Sequence, residues 1–291
     1  MSRLTFRRFT LACCAGLVGL TGCSSSESGN VPARALLPSI TQRTDTAQPD
    51  KRGKIQFFPD DYADPVPEGI APGPDGNLWI ADPGNDSIGR MTTRGKFTFY
   101  NPGEELSGAI TAGPDGALWF TTEQYQPDAF IGRIATDGTI TLFNDPNGSY
   151  PQGITTGPDG ALWFGESNGT IGRITAQGDV THFTVGGTRT AINSIVTGSD
   201  GALWATLSGN YNPSKILRLT TSGKLKSWKV NGVEFICAGP DGALWFTDYP
   251  DDIGRITTKG AVTLFPIKHG SKYGASRGNR CRGRRCIMVY L

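Results

Sequence analysis

An all-β propeller of four-stranded blades is the fold the 291-residue sequence predicts, and three observations predict it. The first is a turn, Gly73-Pro74-Asp75-Gly76, that returns at Gly113, Gly157, Gly198 (as Gly-Ser-Asp-Gly) and Gly239, at intervals of 40, 44, 41 and 41 residues. The second is a tryptophan three residues beyond each turn: Trp79, Trp119, Trp163, Trp204 and Trp245. The third is what fills the rest of each repeat: short alternating apolar runs between glycine turns, without helical periodicity. Self-similarity at a period of some forty residues, with four strands in each period, marks propeller blades.

Each strand has its own signal. Pro sets φ at the first corner of the turn, Asp accepts from the local backbone, and Gly takes φ > 0. The turn therefore joins a first strand to a second strand carrying the Trp. Eight to twelve residues after the Trp a third strand opens on Ile88, Ile131, Ile171, Ile216 or Ile253, usually as Ile-Gly-Arg. A second turn follows at Gly95, Gly138, Gly178, Gly223 and Gly260. The fourth strand ends on an aromatic: Tyr100, Phe143, Phe183, Trp228 and Phe265. The tryptophans are expected to fill the core between blades, and the repeated Arg to pair with backbone or acids between blades.

Both ends of the chain lie outside this grammar. Arg3, Arg7 and Arg8 precede an apolar stretch, Phe9 to Leu20, too short to span a bilayer. Leu20-Thr21-Gly22-Cys23 resembles a lipobox, so residues 1–22 read as a lipoprotein signal peptide and Cys23 as the diacylated residue. Residues 23–52 read as a flexible tether rich in Ser, Pro, Thr and Gln. Ser24 in place of an Asp retention signal points to the outer membrane, facing the periplasm. The repeats occupy 53–267. Residues 268–291 turn abruptly basic, and Met288-Val289 hides a Trp codon one base later, 43 residues after Trp245. This tail is expected to be out of frame and disordered, with the shift between about Phe265 and Arg285.

Charge and cysteine counts change once these ends are set aside. Without the three basic residues of the leader and the seven of the tail, 18 of the 28 basic residues face 26 acids, a body near −8. A nucleic-acid partner is not implied. Cys237 alone of the six cysteines falls in the repeats, which excludes a disulfide framework or a cysteine metal site there. A monomer is expected.

Counting strands adds one irregularity. Lys54-Ile55-Gln56-Phe57-Phe58 matches a fourth strand, so six fourth strands accompany five complete sets of the other three.

The stretch Gly153 to Glu166, Gly-Ile-Thr-Thr-Gly-Pro-Asp-Gly-Ala-Leu-Trp-Phe-Gly-Glu, with Ile171-Gly172-Arg173-Ile174-Thr175, resembles the virginiamycin B lyase family over about residues 53 to 267. The resemblance implies a seven-bladed propeller, of which five complete repeats are seen. It also implies a Mg²⁺-dependent elimination that opens the ester of cyclic depsipeptide streptogramin B antibiotics. The family's histidine base precedes the Gly-Ile of a first strand, and a metal-binding Glu ends a second strand after the Trp. Here the first set of positions holds Glu68, Gly108, Gln152, Asn193 and Glu234, none of them His. The second holds Asp82, Thr122, Glu166, Leu207 and Asp248.

In a propeller the start of the first strand and the end of the second emerge on one face. Glu68 with Asp82, Gln152 with Glu166, Asn193, and Glu234 with Asp248 are therefore expected around one channel mouth. Glu166 and Asp248 are the candidate metal ligands, for Mg²⁺ or Ca²⁺. The competing reading is a solvated acidic rim bonded to loop amides. His182, on an outer strand, is read as packing or surface, and His269, in the tail, is assigned no role. Three functions remain open: a lyase of the streptogramin type, a non-catalytic ligand- or protein-binding propeller on a lipid tether, and a lactonase-type propeller with central Ca²⁺, which shares the acidic mouth but not this repeat.

Overall fold

The computed structural model describes residues 66–123, 129–146, 148–187, 189–209, 214–249 and 252–267, so Cys23, the tether and the basic tail lie outside the described residues. These residues form twenty strands in five antiparallel four-stranded sheets, each in sequence order. Blade 1 is β1 (Gly69–Pro72), β2 (Leu78–Asp82), β3 (Ser87–Met91) and β4 (Phe97–Tyr100). Blade 2 is β5 (Leu106–Ala112), β6 (Leu118–Thr122), β7 (Phe130–Ile134) and β8 (Ile140–Asn144). Blade 3 is β9 (Pro151–Thr156), β10 (Leu162–Glu166), β11 (Thr170–Ile174) and β12 (Val180–Thr184). Blade 4 is β13 (Thr190–Thr197), β14 (Leu203–Gly209), β15 (Lys215–Leu219) and β16 (Leu225–Lys229). Blade 5 is β17 (Gly232–Ala238), β18 (Leu244–Tyr249), β19 (Asp252–Ile256) and β20 (Val262–Pro266). The first strands β1, β5, β9, β13 and β17 are neighbours in succession, which places them innermost and the fourth strands outermost.

The repeated residues form one side-chain tie per blade. In blade 1, Asp75 Oδ1 accepts from Trp79 Nε1 at 3.1 Å, and its Oδ2 accepts from Arg90 Nε at 2.6 Å. Asp115, Asp159, Asp200 and Asp241 repeat both bonds in the other blades. Arg90 also lies over the Trp79 ring, 5.8 Å from its centre. The expectation that the arginine bridges blades is corrected here: it meets the turn Asp of its own blade. The reason is register, because antiparallel pairing sets Trp79 opposite Arg90. Burial alone would raise the Asp75 carboxyl, but bonds from Asn77, Trp79 and Arg90 outweigh it and hold the group down at about 2.

The tryptophans do fill the joints between blades. Trp79, Trp119, Trp163 and Trp204 are fully buried, each packed with second-strand residues of the following blade and stacked on its own fourth-strand aromatic. The glycine of Ile-Gly-Arg also has a packing cause. A Cβ at Gly132, Gly172 or Gly254 would fall on the ring of Phe120, Phe164 or Phe246, its cross-strand partner. Blade 4 inverts the pair: small Ala205 faces large Leu217, so volume is kept while the sizes change strands.

Candidate functional site

The mouth positions share a backbone feature. In blades 2 to 5 the first strand slips its register, between Leu106 and Ile110, opposite the Phe164–Glu166 stretch, between Ile192 and Ser194, and between Val233 and Ile236. Gly108, Gln152, Asn193 and Glu234 fall in these irregularities. A β-bulge leaves a residue out of the ladder and re-aims its side chain. Threonines of the preceding blade take up freed carbonyls: Thr121 Oγ1 donates to Gln152 O at 2.8 Å, and Thr206 Oγ1 to Glu234 O at 2.8 Å.

The side chains at these positions differ. Glu234 is exposed. Glu68 is half-buried against Gly108, whose φ of 88° and missing Cβ leave room for its carboxylate. Asn193 Nδ2 donates to Ser208 Oγ at 2.8 Å. Gln152 is buried, and its Nε2 has no hydrogen-bond partner.

The second-strand acids Asp82, Glu166 and Asp248 are buried. Asp82 Oδ1 accepts from the backbone N–H groups of Val66 and Gly84, and its Oδ2 from Asn85 Nδ2. Asp248 is buried with Oδ1 unpartnered, and burial followed by the charge of Asp252 raises its carboxyl. Glu166 Oε1 accepts from Ser149 N–H at 3.0 Å, and its Oε2 accepts from the Thr170 hydroxyl. Glu166 and Asp248, the two expected metal ligands, belong to blades 3 and 5.

What Glu166 meets is Asp145, which sequence reasoning missed, and His182, which it read as packing or surface. Asp145, just beyond β8 of blade 2, and His182, in β12, close on it across the joint between blades 2 and 3. His182 Nε2 lies 2.9 Å from Asp145 Oδ1 and 3.7 Å from Glu166 Oε2. Asp145 and Glu166 are 0% exposed, and the His182 side chain is 15% exposed. Burial pushes the Glu166 carboxyl up to about 7, with the Thr170 hydroxyl and His182 opposing and Asp145 adding. Contact with Asp145 raises His182 against burial, aided by both carboxylate charges. One donor atom from each residue falls within 4.8 Å of the other two.

Mg²⁺, the ion the resemblance implies, does not fit these groups well. It takes octahedral oxygen donors, whereas this set includes an imidazole.

A sequence model of the virginiamycin B lyase family matches residues 32–191 and 182–279. The chain belongs to the virginiamycin B lyase family. Among solved structures, virginiamycin B lyase from Staphylococcus aureus, with selenomethionine, is 35% identical with a TM-score of 0.68, covering 76% of this chain and 77% of that one. A catalytically inactive histidine-to-alanine variant of the S. aureus enzyme with quinupristin is also 35% identical, with a TM-score of 0.68 and coverage of 75% and 76%. A streptogramin B lyase structure is 29% identical, with a TM-score of 0.65 and coverage of 73% and 72%. No curated protein sequence matches.

Proposed function

We propose that this member of the virginiamycin B lyase family binds a cyclic depsipeptide, or a similar cyclic ester, at its channel mouth without opening the ring there. The observation that carries this reading is the set of first-strand irregularities at Gly108, Gln152, Asn193 and Glu234. They fall at positions expected around the mouth, and no imidazole stands at Glu68, Gly108, Gln152, Asn193 or Glu234, the positions the resemblance assigns to the base. The inactive S. aureus variant lacks a histidine and is paired with quinupristin, which supports separating capture from chemistry. Elimination needs a base within hydrogen-bond reach of the proton it removes. His182, in the wall between blades 2 and 3, serves no such place.

The same proposal puts Cys23 under a diacyl anchor and the propeller on the periplasmic side of the outer membrane. Membrane-fraction recovery that is lost on Cys23→Ser tests the anchor. For the mouth, quinupristin with Mg²⁺ is titrated into the full-length protein, and the mixture is separated by chromatography. Saturable binding with only cyclic quinupristin recovered is expected. Linear product overturns the non-catalytic half, and absence of binding overturns the ligand class.

A further inference from the structure

Asp145, Glu166 and His182 pose a problem that the proposed ligand does not solve. Two carboxylates are sealed from water against a single imidazole. Both Asp145 oxygens lack a hydrogen-bond partner, as does His182 Nε2, although the two residues stand 2.9 Å apart. An ordinary ion pair would line the N–H up with the carboxylate. Here the approach is close and the direction wrong. One donor atom from each of the three side chains lies within 4.8 Å of the other two.

The joint between blades 3 and 4 shows that the fold does not require charge at this place. Counting along the repeat, the joint between blades 3 and 4 carries Val185 where Asp145 stands and Leu207 where Glu166 stands, and those two pack in one apolar cluster. Orphaned buried charge costs several kcal/mol per ion, so a position filled elsewhere by Val and Leu calls for a counter-charge.

We propose that Asp145, Glu166 and His182 bind one divalent transition-metal ion of the Zn²⁺ type, clipping blade 2 to blade 3. Charge balances: two carboxylates and a neutral imidazole around a dication sum to zero. Distance fits as well. With bonds of about 2.1 Å, a tetrahedral ion holds its donors about 3.4 Å apart, and the two measured gaps of 2.9 and 3.7 Å bracket that edge. The imidazole selects Zn²⁺, Co²⁺ or Ni²⁺ over Mg²⁺ and Ca²⁺. Ser149 N–H and the Thr170 hydroxyl hold the Glu166 carboxylate from behind, the outer support that fixes a ligand's orientation. Phe164, edge-on to His182 with ring centres 6.4 Å apart, sets the ring plane. The partly open side of His182 gives the ion its way in, and the fourth position is left to water.

The site is distinct from the channel mouth and can be tested without any depsipeptide. Full-length protein is stripped with chelator, dialysed against Zn²⁺ and analysed for metal, beside Asp145→Asn and His182→Gln. Cys237, His269 and the tail cysteines can take up metal of their own, so the difference between proteins is the readout. The variants are expected to hold one equivalent less, and the Tm of the native protein alone to climb with each tenfold rise in Zn²⁺. Co²⁺ in place of Zn²⁺ is expected to give the intense visible bands of a four-coordinate site, lost in both variants. Should Asp145→Asn fail to fold, His182→Gln carries the test, because its position is an outer strand. Equal metal content in native and variant proteins overturns the proposal, and so does uptake of Mg²⁺ with none of Zn²⁺.

Discussion

The joint between blades 2 and 3 and the joint between blades 3 and 4 share one geometry and differ in chemistry. Each presents a tryptophan from the earlier blade, Trp119 or Trp163, to the second strand of the later one. Toward the end of the second strand the first joint closes over Asp145, Glu166 and His182, while the second closes over Val185 and Leu207, with Ser227 exposed at the histidine's register position. The packed tryptophan layer suffices to hold two blades together. What lies beyond it is free to vary, apolar between blades 3 and 4 and charged between blades 2 and 3.

The largest effect is expected from making the apolar joint charged without partners. Leu207→Glu places a carboxylate at the position of Glu166, facing Val185 instead of Asp145 and His182. An uncompensated buried charge costs about 3–5 kcal/mol, read as a lowered urea midpoint. A loss below about 1 kcal/mol would mean the joint opens to water, and the two regions would not be comparable. The reverse exchange, Asp145→Val with Glu166→Leu, writes the apolar joint into the polar one. In chelator-treated protein it is expected to raise stability by about 1–4 kcal/mol, as replacement of buried ionic groups often does. A loss instead would show that the charges hold the joint even without an ion.

The smallest effect concerns what both joints share. The turn carboxylates Asp75, Asp115, Asp159, Asp200 and Asp241 are all held low, Asp75 at about 2. Their folded values lie below the unfolded one, near 4. The stability they supply is therefore complete above about pH 4 and drains away as pH falls toward 2. Urea midpoints at descending pH should follow that course in native protein and in the Val–Leu exchange alike. A flat profile would show that Trp and Arg hold the turn without its charge.

The fold was legible because its determinants sit close together and return. Turn Asp, Trp and Arg lie within 18 residues of one another in each blade, and five copies expose the pattern. Of the expected mouth positions, Gly108, Gln152, Asn193 and Glu234 fall at first-strand irregularities, and Glu68 does not. The mouth was not legible in side-chain partners: Asp82 is taken up by Val66, Gly84 and Asn85, and Glu166 by Ser149 and Thr170. The pairing of Asp145 with His182 was hidden for another reason. The two residues belong to different blades, on positions the repeat leaves variable, so the period that reveals the architecture averages them out. Their signal is departure from the repeat. Position two past the closing aromatic is Pro102, Asp145, Val185, Val230 and Ile267, and position one before it is Phe99, Leu142, His182, Ser227 and Leu264. A charged residue in each column, from blades that touch, was the trace to follow.

The Asp–Trp–Arg tie bears on how the chain reaches this shape. Asp75 takes its indole four residues away and its guanidinium fifteen away, inside one sheet. A nascent blade can therefore pin its own tryptophan in the docking rotamer before any neighbour arrives. Loops closed are short, and assembly can proceed by accretion from whichever blade forms first, as in other repeat arrays. Synthesis from the N-terminus would then add sheets in order, each new one finding a pre-set aromatic wedge already waiting on the last.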